Sequence, residues 1–112
     1  MVVRVRGASM APTLHPGDRV LVAVGRAPKV GQVVVFRPPP TLAVGEDWLI
    51  KRVVAGAGDA VPIAVRHKVN QDFVPDGCLV VLGDNDESCD SRRFGYVRSS
   101  DVLGSVVRLL RF

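Results

Sequence analysis

Apolar positions in this chain fall into short, valine-dominated runs, separated by breaks that carry glycine or proline. Val2 to Val5 predicts a first strand. His15-Pro16-Gly17-Asp18 reads as a turn, and Arg19 to Val24 predicts a second strand. After Gly31, the nearly unbroken valine of Gln32 to Arg37 predicts a third strand, buried on both faces. Pro38-Pro39-Pro40 through Glu46 is a connection, because a central strand cannot give up the hydrogen bonds that proline lacks. Trp48 to Val54 predicts a fourth strand, closed by Gly56 and Gly58-Asp59. Ala60 to Val69 predicts one or two short strands, Cys78 to Leu82 another and Gly104 to Leu110 the last, with one helical turn at Ser99 to Val102. The expected fold is all-β: a single compact domain over residues 1–112, built of short, mostly antiparallel strands in a barrel-like or sandwich arrangement.

Composition narrows this further. A chain of 112 residues with 47% apolar content has enough for one core and too little for two. The net charge of +4 is scattered over Arg4, Arg6, Arg19, Arg26, Arg37, Arg92, Arg93, Arg98, Arg108 and Arg111. No dense basic block or basic–aromatic interleaving marks a nucleic-acid partner, and none is expected. Weak attraction to an anionic membrane surface is compatible with such a charge. Cys78 lies in an apolar run and Cys89 in a polar loop, so both are expected to be unpaired. No apolar run approaches the ~20 residues of a membrane span and no leader pattern opens the chain. The chain as it stands is therefore expected to be soluble.

Candidate chemistry starts at Ser9 in RGASMAPTLHPGDRVLV, where a hydroxyl set between Ala8 and Met10 has the setting of a nucleophile but needs a base. His15 lies in a turn and His67 in an Arg-His-Lys run, and neither is wedged between a serine and a buried carboxylate. Lys51, in WLIKRVVAG, shares a strand face with Leu49 and Val53. Two roles fit it: a solubility residue of an edge strand, or an amine whose pKa falls with desolvation until it can accept a proton. VLGDNDESCDSRRFG, Val81 to Gly95, concentrates acids, serines and arginines after an apolar strand, as in a buried polar network that must pair every member.

Together these segments resemble the type I signal peptidases and their relatives, the serine–lysine peptidases. The likeness lies in GASMAPTLHPGDRVLV (Gly7 to Val22), VGQVVVFRPP (Val30 to Pro39), IKRVVAGAGD (Ile50 to Asp59) and VPDGCLVVLGDNDESCDSRRFGYV (Val74 to Val97), in the family's order. The resemblance implies a signal-peptidase-like β domain with Ser9 as nucleophile and Lys51 as general base. Ser88 would hydrogen-bond the Lys51 amine and aim it at Ser9. Arg52, Asp84, Asp90 and Arg92 would support the site as ion pairs tying the GDN loop to the lysine strand. Val5, Met10, Leu14, Val20 and Ile50 match the walls of pockets that admit small side chains, although ordinary core packing explains these five equally well. No metal or cofactor is implied. The implied partner is an extended peptide or precursor protein, bound beside the strands that flank the site.

Two features depart from the family. Gly7 stands where some members carry a hydroxyl as a second oxyanion donor, and only eight residues precede Ser9, where signal peptidases carry a membrane span. The resemblance thus points to an endopeptidase that removes leader or pro-segments after small residues. Its alternatives are a soluble maturation protease for one precursor, such as that of nickel superoxide dismutase, and a self-cleaving repressor-like regulatory domain. The expected location is the cytoplasm, or the outer face of the cytoplasmic membrane if an anchor precedes this sequence in a longer protein.

Overall fold

The computed structural model describes residues 1–42 and 45–110. Ala43 and Val44, inside the Pro38–Glu46 connection, and Arg111 of the scattered charge lie outside them. Seven strands form one antiparallel sheet: β1 (Val2–Arg4), β2 (Arg19–Val24), β3 (Val33–Phe36), β4 (Leu49–Ala55), β5 (Cys78–Leu82), β6 (Val97–Arg98) and β7 (Val102–Leu110). Their spatial order is β1-β2-β7-β3-β4-β5-β6. The last strand thus sits inside the sheet and joins the two halves of the chain. Register shifts at Leu21/Val22, Val35/Phe36 and Val53/Ala55 curl the sheet, as bulges do.

β3 is buried on both faces, as its valine run predicts, and side-chain alternation divides it between two cores. Val33 and Val35 pack with Val5, Met10, Leu14, Val20 and Val22. Val34 and Phe36 pack on the other face with Leu49, Val53, Leu79, Val81 and Val97. A third cluster, of Ala55, Val61, Val65, Val74 and Val80, lies under the excursion between β4 and β5.

That excursion corrects one expectation. The Ala60–Val69 segment holds a helix, α1 (Ile63–Val69), and not one or two strands. Val65 and Val69, four residues apart, share one helical face against the third cluster, and Val61 enters that cluster from just before the helix. Asn70 ends the helix in the left-handed conformation at φ 52°, its N–H bonded to the Arg66 carbonyl. β-branched content suggested strands here, and packing of the Val65–Val69 pair overrode it. Ser99–Asp101 is a 3-10 turn, as expected. A four-residue helix, α2 (Ser91–Phe94), and the two-residue β6 were not foreseen within the polar Val81–Gly95 stretch and its sequel.

Candidate active site

Ser9 lies in the loop between β1 and β2. The Val5 N–H donates to the Asp18 carbonyl at 2.7 Å and the Gly17 N–H to the Val5 carbonyl at 2.8 Å, which closes the loop at its base. Met10 and Leu14, both buried in the first core cluster, anchor its middle. Ser9 is left half-buried between exposed Ala8 and buried Met10. Among the described residues its backbone N–H donates no hydrogen bond.

Lys51 reaches it from β4. Strand alternation puts Lys51 on the face of Leu49 and Val53, and Val34 stands directly opposite on β3. Lys51 is only 5% exposed. Its Nζ lies 2.5 Å from Ser9 Oγ, across 42 positions of sequence. Burial lowers the amine's pKa, and the opposing charges of Asp90, Cys89 and Glu46 raise it without cancelling that effect. A desolvated amine in contact with a hydroxyl can take up its proton.

On the other side of β4, the register with β5 pairs Arg52 with Leu82 and Val53 with Val81. Continuing it by one residue brings Gly83 opposite Lys51. A Cβ there would fall 2.6 Å from the Ser9 carbonyl oxygen and collide with the Ser88 side chain. Glycine is the residue that lets nucleophile loop, lysine strand and GDN loop meet.

Ion pairs and short hydrogen bonds fix the GDN loop. Asp84 accepts two bonds from the Arg52 guanidinium, at 2.9 and 2.8 Å, and one from Thr13 Oγ1 at 2.6 Å. The Arg52 bond holds the Asp84 carboxyl below its usual range, and Thr13 adds to that effect. The Asn85 N–H donates to the Ser9 carbonyl at 2.9 Å, and Asn85 Nδ2 to the Ala8 carbonyl at 3.2 Å. Asp90, fully buried, caps α2 through the Arg92 N–H. It also accepts from the Gly83 N–H at 2.8 Å and from the Arg92 guanidinium at 2.9 and 2.8 Å. Burial alone would raise its pKa, but these donors outweigh it and leave the carboxyl lowered.

The structure therefore brings Ser9 and Lys51 together, with Arg52 and Asp84 bridging strand and loop. Asp90 and Arg92 pair with each other within the loop and α2, so the expected ion pair from them to the lysine strand is corrected: Asp90 acts on Lys51 through its charge and not through a bond. Ser88 stands beside Gly83, but its Oγ is buried with no hydrogen-bond partner among the described residues, and the expected bond to Lys51 is not made. Met10, Val5 and Ile50 line a cleft of about 410 Å³ that Ser9 and Lys51 also line, together with the rest of Met1 to Arg6 and of Gly45 to Lys51. Leu14 and Val20 belong to the core and are absent from its lining: Leu14 is tied back to the Met10 carbonyl, and Val20 faces inward from β2. Cys78 and Cys89 are unpaired. Thr13 and Asn85 were not singled out from sequence, although each lies inside a motif quoted above. Their partners are 71 and 77 positions away, and only folding reveals them.

Among the described residues no helix is long and apolar enough to cross a membrane. Comparison with known proteins adds a family. The model of "Signal peptidase, peptidase S26" matches residues 1–70 and 63–110. The chain is 32% identical to the thylakoidal processing peptidase 1 of Arabidopsis thaliana, over 88% of its own length and 38% of that protein. It is 34% identical to the mitochondrial ATP-independent inner membrane protease subunit 1b of the same plant, over 90% of the chain and 64% of that protein. With signal peptidase IB of Staphylococcus aureus it shares 30% identity, over 91% of the chain and 73% of that protein. It spans little more than a third of the two thylakoidal peptidases it matches.

Proposed function

The chain belongs to the signal peptidase family, peptidase S26, and from that premise we propose a serine endopeptidase in which Ser9 is the nucleophile and Lys51 the general base. Its substrates are leader or pro-segments of precursor proteins, cut after small residues. The observation that carries this reading is the 2.5 Å contact between Ser9 Oγ and the buried Lys51 Nζ in the lining of a cleft.

In the first step neutral Lys51 takes the Ser9 proton while Oγ attacks the scissile carbonyl carbon, and the carbonyl π pair moves to oxygen. The free N–H of Ser9 is placed to hold that oxyanion, while Gly7 brings no side-chain donor. Collapse breaks the C–N bond, and the Lys51 ammonium returns its proton to the departing amine. Lys51 then activates water against the Ser9 ester, which frees the acid and restores the hydroxyl.

The substrate lies as an added strand on β1. Met1 bonds to Val22 in both directions and Val5 to Asp18, so residues 1, 3 and 5 turn their backbone groups to β2. Strand alternation leaves those of Val2 and Arg4 free for an incoming peptide. Peptide cleavage with alanine at the first and third positions before the cut tests this reading. Ser9→Ala is expected to lower the rate by roughly 10³-fold or more, and leucine in place of the first alanine to block cleavage. Retention of a tenth of the rate by Ser9→Ala would remove the nucleophile.

A further inference from the structure

The two reacting groups sit on separate pieces of chain, a loop stapled to β1 and β2 and a strand in mid-sheet. A contact of 2.5 Å between them needs the two pieces held in register. One carboxylate touches both. Asp84 grips Arg52, the neighbour of Lys51 on β4, through a two-pronged guanidinium contact, while its Oδ2 also accepts the Thr13 hydroxyl at 2.6 Å. Arg52 is braced in turn by a 2.7 Å bond to the Gly31 carbonyl. Thr13 is four residues beyond Ser9, on the same loop, and is the residue through which that loop meets the carboxylate.

We infer that Thr13 is a positioning residue for the proposed serine–lysine pair, acting through Asp84 and Arg52 to hold the nucleophile loop against the lysine strand. It touches neither substrate nor reacting atoms. The Asn85 bonds to the Ala8 and Ser9 carbonyls hold the near end of the loop, and Thr13 holds the far end, so its loss lets the loop swing about the Asn85 contact. Ser9 Oγ then leaves line with Lys51 Nζ and water reaches the amine. Misplacement on that scale slows chemistry more than binding.

This inference rests on the proposed function, and the test separates the two. Peptide cleavage is followed in the wild type, Thr13→Val and Thr13→Ser, while the titration of Lys51 is read by NMR in the same proteins without substrate. Thr13→Val is expected to reduce kcat about tenfold with KM changed by less than about twofold, and to move the acidic limb of the pH profile upward. The Lys51 titration should move upward with it, because the charges facing the amine (Asp90, Cys89 and Glu46) are unchanged while its burial is reduced. Thr13→Ser, which keeps the hydroxyl, should restore both, and Thr13→Val combined with Asp84→Asn should be no slower than Asp84→Asn alone. An unshifted Lys51 titration in Thr13→Val, or rate losses that multiply in the double variant, would overturn the inference. If the wild type shows no cleavage dependent on Ser9, the proposed function fails, and the titration still decides whether Thr13 sets the environment of Lys51.

Discussion

At the residue scale the decisive quantity is the solvation of one amine. Lys51 keeps its proton poorly because burial penalises the charged form. Its neutral fraction grows as pH rises through the lowered value, so kcat/KM should rise with pH through a value below the ~10.4 of a free lysine. The folded state pays for that readiness. Unfolded chain binds the Lys51 proton more tightly, so wild-type stability should increase with pH between the lowered and ordinary values. Lys51→Met removes both effects. It should be inactive, stabilised at neutral pH by about 1 kcal/mol, and without that slope. Urea unfolding at several pH values checks this, and equal slopes in both proteins would argue against a desolvated lysine. In sequence Lys51 was open to two readings, because a lysine within a strand is also an edge device. The neighbours that decide between them, Val34 across the ladder and Ser9 in front, are far away in the chain.

At the element scale the polar stretch after β5 is a built structure with Asp90 at its centre. A buried carboxylate that caps α2, binds the Gly83 N–H and pairs with Arg92 leaves several donors unsatisfied when removed. Asp90→Ala should cost about 3 kcal/mol of stability, read as a lower midpoint in chemical denaturation. Its folded pKa is lowered, so its contribution is present above the ordinary aspartate value and is lost as pH falls through the lowered one. The destabilisation by Asp90→Ala should therefore shrink in acid, and one independent of pH would separate Asp90 from the network. The density of acids, serines and arginines in Val81–Gly95 made a network legible from sequence. Which partners pair was not: Asp90 forms its ion pair with its near neighbour Arg92 and faces the lysine only as a charge. The strands were read well where valine runs met glycine or proline. α1 was missed because its core-facing pair, Val65 and Val69, has a helical spacing written in strand-forming residues.

At the scale of the whole molecule, the topology makes the site. β7 lies between β2 and β3 and joins the nucleophile half of the chain to the lysine half, leaving β1 as an open edge beside the cleft. Such an edge invites pairing with another strand. Arg4→Pro removes one outward N–H at a position where an edge strand tolerates proline, so it should raise KM by about tenfold with a smaller change in kcat. An unchanged KM would place the peptide elsewhere. The edge was not legible from the chain, because strand order depends on where β7 inserts. The four sequence blocks that resembled a family were, because Ser9, Lys51, the Val34 that pairs with it and the Asp84 that grips Arg52 fall one in each.

The most direct measurement of the central claim is the mass of the protein after brief mixing with a peptide ester ending in alanine at its acyl group. The account predicts an acyl adduct on Ser9 that forms faster as pH rises and is absent from Ser9→Ala and Lys51→Arg, since guanidinium cannot give up its proton at these pH values. An adduct on another residue, or one that forms on Ser9 equally fast in Lys51→Arg, would contradict it.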